Sequence, residues 1–189
     1  TDGQKKVLNE INSDLQSNKR MFRILQGDVG CGKTIVSLLS IINVIESNYQ
    51  CALMGPTEIL SYQHFKLAKN IFRKININIE FLSGNTEKKI KDEILKKLED
   101  GKIDLLIGTH ALFQKKIRFK NLGYVIIDEQ HKFGVKQRSE LAKKGGKNCD
   151  LLLMSATPIP RTMMMSLYGD MDISKIIGKP LSRKTTVTL

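Results

Sequence analysis

Short apolar runs recur along this chain, and segments with a helical spacing of apolar residues separate them. The runs are nearly continuously apolar, as strands covered on both faces usually are. They lie at 22–25, 51–55, 79–82, 103–109, 124–129 and 151–157. Between them, repeats such as Val7 and Ile11, or Ile90, Ile94 and Leu98, indicate amphipathic helices. The alternation predicts an α/β fold, a three-layer αβα sandwich with a mainly parallel central sheet.

The segment GDVGCGKT at 27–34 follows the first predicted strand and opens a helix. It matches the pattern GxxxxGK[ST] of phosphate-binding loops in P-loop NTPases. Glycines let the backbone curl until its amides point at phosphate oxygens, and the start of the helix adds positive potential. Lys33 would then contact the β- and γ-phosphates, and the Thr34 hydroxyl would bind Mg²⁺. The predicted residues for a nucleoside triphosphate are Gly27, Asp28, Val29, Gly30, Cys31, Gly32, Lys33 and Thr34.

Two adjacent carboxylates end the fifth predicted strand. Asp128 would hold Mg²⁺ through water beside Thr34, and Glu129 would polarise the attacking water. Both roles require a formal negative charge, so together with Lys33 they indicate hydrolysis rather than binding alone. His131 follows shortly after, and it is equally compatible with a γ-phosphate contact and with an isolated surface histidine. The predicted catalytic residues are therefore Lys33, Asp128, Glu129 and His131, with Thr34 and Asp128 at the metal.

The overall charge of the chain indicates a second kind of partner, besides a nucleotide. The net charge of +12 favours an anionic partner, with nucleic acid the first candidate, although a lysine-rich proteome would give the same excess. No apolar run approaches the length of a membrane span, and no signal segment opens the chain. The three cysteines are widely separated and lack CxxC pairing, which indicates neither a disulfide framework nor a zinc site. A reducing cytoplasm is the expected setting.

Further motifs resemble those of superfamily-two helicase motors. VIIDEQH, LLLMSATPIPRT, MGPTEILSYQH, FLSGNT and IGTHAL are similar to that superfamily's motifs II, III, Ia, Ic and Ib. Their combination resembles the RecG family of bacterial translocases, which act on branched DNA in fork reversal, recombination and repair. The related transcription–repair coupling translocases are the alternative. The resemblance runs over nearly the whole chain, from Gln4 to about Pro180.

This resemblance implies an ATP-binding, RecA-like domain over 1–180 and a linker over 181–189. A second RecA-like domain and an N-terminal wedge domain would lie outside this monomeric chain, which would hydrolyse ATP poorly alone. Gln4 would recognise adenine, and backbone contacts would hold DNA. The implied DNA-binding residues are Pro56, Thr57, Ser83, Gly84, Thr109 and His110. The implied coupling residues, which would link Glu129 and His131 to the DNA site, are Ser155, Ala156, Thr157 and Arg161.

Two other classes of protein compete with the motor. A GTPase needs an NKxD motif, but Asn18 and Lys19 continue as Arg20 and Met21. A transporter ATPase needs LSGGQ, but the LSG at 82–84 continues with Asn and Thr. The second class is a nucleic-acid-binding module without activity of its own, and the intact Lys33, Thr34, Asp128 and Glu129 argue against it. Thr57 is likewise as well explained by an ordinary helix N-cap as by a phosphate contact.

Overall fold

The computed structural model describes residues 1–129, 149–157 and 171–177. Seven strands form one sheet in the order β3-β4-β2-β5-β6-β1-β7, and every neighbouring pair is parallel. The strands are β1 (Phe22–Gln26), β2 (Gln50–Met54), β3 (Ile79–Leu82), β4 (Leu105–Gly108), β5 (Leu122–Ile127), β6 (Asp150–Ser155) and β7 (Asp172–Lys175). The helices within these described ranges are α1 (Asp2–Leu15), α2 (Lys33–Glu46), α3 (Glu58–Ile71) and α4 (Lys88–Glu99), with a 3₁₀ turn at His110–Phe113.

The interior strands of the sheet bury both faces, which explains why they are continuously apolar in the sequence. In β2, Cys51 and Leu53 pack into the cluster that also contains residues of α1, α2 and α3. The alternate residues Ala52 and Met54 pack on the opposite face with the buried residues of α4. Because successive side chains of a strand point to opposite faces, two helical layers can cover one sheet. The predicted α/β sandwich is therefore confirmed.

The six predicted strands are all present, with ends shifted by up to two residues, but β7 was missed. Its sequence is DISK, and it pairs with β1 at the edge of the sheet. The two neighbouring strands share a buried arginine: Arg23 donates to Ser174 Oγ at 2.7 Å and to Asp14 Oδ2 on α1 at 2.7 Å. A buried guanidinium requires such partners. This edge strand is therefore marked by polar residues, and it has no apolar pattern from which it could be predicted.

The helical predictions hold with one correction. Ile94 and Leu98 of α4 are buried, but Ile90 is 50% exposed. Helix α4 begins at Lys88, so Ile90 lies in its first turn. The four-residue spacing alone does not predict whether a residue at the end of a helix is buried. In the part of the chain that the structure describes, no helix is long and apolar enough to cross a membrane.

Candidate nucleotide-binding site

The glycine-rich segment forms a tight loop between β1 and α2. Gly30 and Gly32 have φ angles of 79° and 95°, in the left-handed region that favours glycine. Gly32 is the N-cap of α2, so the amides at the start of that helix border the loop. Gly27 is needed for close packing rather than for its φ angle, because a Cβ atom there would lie 2.6 Å from Cys31 Sγ. The predicted loop thus has the curled backbone that presents amides to an anion.

Lys33 lies inside this loop rather than in solvent. Its side chain is buried, and its Nζ donates to Gly27 O at 2.5 Å and to Asp28 O at 3.1 Å. A buried ammonium needs acceptors, and these carbonyl oxygens supply them. A phosphate oxygen inside the loop could replace them as acceptor without moving the lysine far. Asp28 and Val29 are exposed on the rim of the loop, and Thr34 is half-buried behind it.

Gln4, the implied adenine-binding residue, packs directly on the loop from α1. Its Nε2 donates to Cys31 O at 2.9 Å. A Cβ atom added at Gly32 would overlap the same amide group. The contact joins residues 27 positions apart in sequence, and it fixes α1 against the loop. Adenine recognition by Gln4 stays a prediction, but the residue lies where it would border a bound nucleotide.

The carboxylate of Asp128 lies just beyond the end of β5. The backbone N–H of Asp128 donates to Met54 O at 2.8 Å, which extends the hydrogen-bond ladder with β2 by one residue. The side chain is largely buried; Oδ1 accepts from Glu129 N at 3.0 Å, and Oδ2 is 2.8 Å from His64 Nε2. Glu129 has a φ of 49°, unusual for a residue with a side chain. Such local strain often accompanies functional positions.

The loop and the acidic residues lie at the same edge of the sheet. Only β6 separates β1 from β5, so the ends of those two strands lie about 10 Å apart at a strand spacing of about 4.8 Å. Gly27 N donates to Ser155 O at 3.3 Å, which joins the start of the loop to the end of β6. Ligands of parallel α/β sheets bind at the carboxyl ends of strands. The structure therefore brings the predicted phosphate and metal residues to the usual edge.

Three of the implied coupling residues, Ser155, Ala156 and Thr157, form a turn at the end of β6. Ser155 is fully buried, and its hydroxyl donates to Thr157 O at 3.0 Å. Thr157 N in turn donates to Ser155 Oγ at 3.2 Å. Ala156 is half-buried between them. Two other predicted site residues, His131 and Arg161, lie outside the described residues, and the coupling role stays a prediction.

The implied DNA-binding residues differ in exposure. Thr57, Gly84 and His110 are exposed and Pro56 is half-buried, whereas Ser83 and Thr109 are buried. The capping interpretation of Thr57 is confirmed, because its Oγ1 accepts from Leu60 N at 3.3 Å and begins α3. Its hydroxyl hydrogen stays available to a phosphate oxygen.

The Ser83 hydroxyl is held by its own neighbours. It donates to Glu58 Oε1 at 3.0 Å, and Asn85 Nδ2 donates to the other oxygen of Glu58 at 2.7 Å. Ser83 Oγ also accepts from Asn85 N at 3.2 Å. We therefore expect the Ser83 hydroxyl to shape the loop rather than to contact a phosphate.

The clearest pKa shifts lie away from this edge. Burial raises the pKa of the Cys149 thiol to about 12 and that of the Asp150 carboxyl to about 6. Burial also raises the pKa values of Cys51 and Tyr124. These groups lie within strands or at the amino end of β6. Cys51, Tyr124 and Cys149 are core residues, whereas Asp150 is half-buried. All three cysteines are free and buried, as the sequence indicated for Cys51.

The side-chain oxygens of Asp128 and Thr34 suit a metal ion that is bound jointly by the protein and by phosphate. Among the residues described, no group of three or more His, Cys, Asp or Glu side chains could hold a metal ion. Mg²⁺ commonly binds through one or two protein ligands together with substrate phosphates and water. Asp128 and Thr34 fit that arrangement, and Lys33 fits the phosphates.

Sequence similarity accompanies this geometry over most of the chain. Residues 1–166 match the family model described as DEAD/DEAH box helicase. The chain belongs to the DEAD/DEAH box helicase family. The resemblance to helicase motors that the motifs predicted is therefore confirmed.

Within this helicase family, the chain is similar to proteins named ATP-dependent DNA helicase RecG. It is 49% identical over 189 residues to that of Aquifex aeolicus and 50% identical over 189 residues to that of Thermotoga maritima. Each alignment covers 100% of this chain and 24% of the relative. A solved structure of RecG bound to a three-way DNA junction aligns over 97% of this chain and 24% of that one, with a TM-score of 0.83 and 46% identity. The predicted similarity to the RecG family is confirmed.

Proposed function

We propose that this chain is the ATP-binding motor lobe of a DNA helicase that translocates on branched DNA. The observation that carries the proposal is the buried Lys33 ammonium inside its glycine loop, at the sheet edge that also bears Asp128. The similarity to RecG relatives supports the same activity. Because this chain spans 24% of those relatives, the activity belongs to a larger assembly of domains.

ATP and Mg²⁺ are the proposed cofactors. Lys33 and the loop amides would bind the phosphates, with Thr34 and Asp128 at the metal. The bound metal would neutralise charge on the phosphates. Glu129 would orient and deprotonate water, a role that a carboxylate next to the metal ligand can perform. Gln4 lies against the loop through its bond to Cys31 O, which supports a contact with the base.

DNA is the proposed partner, through contacts to its backbone. The net charge of +12 and the exposed positions Thr57, Gly84 and His110 support this mode. The RecG structure on a three-way junction supports branched DNA as the substrate. A bacterial cytoplasm is the corresponding location, with roles in fork reversal, recombination and repair.

A second RecA-like domain is the proposed source of the charge that completes catalysis. An arginine from such a domain is worth about 10³- to 10⁵-fold in the rate of phosphoryl transfer. We propose that 1–180 is one RecA-like domain and that 181–189 leads toward the next. A wedge domain would complete the protein and act on the fork. The chain alone is then expected to bind ATP and to hydrolyse it slowly.

Nucleotide binding is tested by titrating a fluorescent ATP analogue with Mg²⁺ into the wild-type chain and into Lys33→Ala. Loss of a hydrogen-bonded charge should weaken binding about 10- to 100-fold. Lys89→Ala is the matched control, because Lys89 is exposed on α4 and should leave the affinity unchanged. Equal affinities of wild type and Lys33→Ala would contradict the nucleotide site.

The motor assignment is tested by extending the chain through its natural C-terminal neighbour. ATP hydrolysis by the extended protein should rise on addition of branched DNA, and the 189-residue chain should be far slower. If the chain alone turns over ATP as fast as the extended protein, and Lys33→Ala abolishes that turnover, the second domain is not required.

A further inference from the structure

His64 lies on α3 and contacts the proposed metal carboxylate from outside the nucleotide loop. Its Nε2 is 2.8 Å from Asp128 Oδ2, and the histidine is only 8% exposed. No role for this residue was predicted from the sequence, and it stands 64 positions before Asp128. An ionised carboxylate can only accept hydrogen bonds, so Nε2 of this pair carries the proton.

The contact determines how the carboxylate can be used. Asp128 Oδ1 accepts from Glu129 N at 3.0 Å, and Oδ2 accepts from His64. A carboxylate has about four lone-pair directions, so about two stay available to water on a metal ion. The backbone contact is local and follows from the turn after β5. The histidine contact is the one that fixes the rotation of the side chain from a separate element.

Helix α3 is itself held in place on the face that carries His64. Thr57 caps the helix, and Ser61 follows one turn later. The buried Ser61 hydroxyl lies 2.8 Å from Thr57 O and 3.0 Å from Gly108 O at the end of β4. His64 lies about one further turn along the same face, since residues three or four apart are neighbours on a helix. The imidazole is therefore presented from an anchored helix.

We propose that His64 is a positioning residue for the metal site. By donating Nε2–H to Oδ2, it holds the Asp128 carboxylate in one orientation and leaves its remaining lone pairs for metal-bound water. The inference rests on the proposed nucleotide function. His64 is thus a second hydrogen-bond partner of the Asp128 carboxylate, after the Glu129 amide. It lies on α3, the helix that is capped by the proposed DNA-binding residue Thr57.

The simpler explanation is a histidine that only fills the core. The two explanations differ in what a substitution changes. A core-filling role predicts a loss of stability, and any weakening of nucleotide binding would be the same with and without metal. A positioning role predicts a selective loss of metal-dependent binding, because partners behind a metal ligand typically contribute 10- to 100-fold to metal affinity or activity.

The test compares His64→Leu and His64→Gln in the 189-residue chain. Leucine keeps a similar volume and removes the donor, whereas the glutamine Nε2 can occupy nearly the position of the imidazole Nε2. Binding of a non-hydrolysable ATP analogue is measured by titration, once with Mg²⁺ and once with EDTA. Mn²⁺ binding to the nucleotide complex is followed by electron paramagnetic resonance. Gln63→Leu is the matched control, because Gln63 is exposed on the same helix.

We expect His64→Leu to weaken Mn²⁺ binding about 10-fold and to remove much of the Mg²⁺-dependent gain in nucleotide affinity. Affinity in EDTA should stay unchanged, and His64→Gln should restore most of the loss. Unchanged metal binding in His64→Leu, or an equal loss in EDTA, would overturn the inference. So would an equal loss in His64→Gln. If wild type itself shows no Mg²⁺-dependent nucleotide binding, the proposed function fails instead, and that failure is seen before any variant is compared.

Discussion

Replacing Gly32 with alanine tests the geometry of the phosphate-binding loop most directly. Gly32 has a φ of 95° and is the N-cap of α2. A Cβ atom there would overlap the side-chain amide of Gln4. The substitution therefore imposes two separate penalties: a left-handed backbone on a residue with a side chain, and displacement of Gln4 from its bond with Cys31 O.

Both penalties have known sizes. A left-handed conformation costs an L-residue about 1–2 kcal/mol. Loss of the Gln4 hydrogen bond adds about 0.5–1.5 kcal/mol. We expect Gly32→Ala to lower the free energy of unfolding by about 1.5–3.5 kcal/mol and to weaken nucleotide binding, since the loop amides would shift. Gly84→Ala should change stability by less than about 0.5 kcal/mol. No atom outside its chain neighbours lies within 4 Å of a Cβ atom built at Gly84.

Urea denaturation of four proteins separates the two penalties: wild type, Gly32→Ala, Gln4→Ala and the double variant. Removing the Gln4 side chain abolishes the overlap but leaves the backbone strain. Gly32→Ala should therefore cost less in the Gln4→Ala background, with a coupling of about 0.5–1.5 kcal/mol. An unfolding midpoint for Gly32→Ala equal to that of wild type would refute the strain. Identical costs in the two backgrounds would refute the contact with Gln4.

Two further predictions concern stability outside the loop. Burial raises the pKa of Asp150 from 3.8 to about 6, so the folded state binds its proton more tightly, and stability from this group is lost as pH rises from about 4 through 6. Asp150→Asn should gain about 1–2 kcal/mol relative to wild type between pH 4 and pH 7 once solvent screening is allowed for, and a constant difference between the two urea curves would contradict this. Thr57→Ala should lose about 1 kcal/mol with the α3 cap, whereas Thr57→Ser should retain it; equal midpoints for both variants would argue against the cap.

The sequence predicted the phosphate-binding loop because everything it needs lies within eight consecutive residues. The glycine spacing, the lysine and the hydroxyl are local, and the flanking apolar run and helix give the context. The interior strands were also predictable, because each is buried on both faces and therefore carries a continuous apolar pattern. The resemblance to helicase motifs added Gln4, which the loop contacts in the structure.

Other features had no local signal. Strand β7 carries polar residues and depends on Arg23, whose partner Ser174 lies 151 positions later. The exposure of Ile90 depends on where α4 begins. The engagement of Ser83 with Glu58 depends on how the loop after β3 meets the first turn of α3. Each of these follows from tertiary packing, which a residue's own neighbours in sequence do not specify.

By itself, the sequence determined the chemistry available to this protein: a loop for phosphates, an acidic pair after a buried strand and an alternating α/β pattern. Only the tertiary structure decided the strand order, which puts β6 alone between the loop and Asp128. It also decided that His64 of α3 meets the carboxylate. The physical reason is that local patterns report which face of an element is buried, whereas contacts between distant residues are set by the order and register in which strands pair.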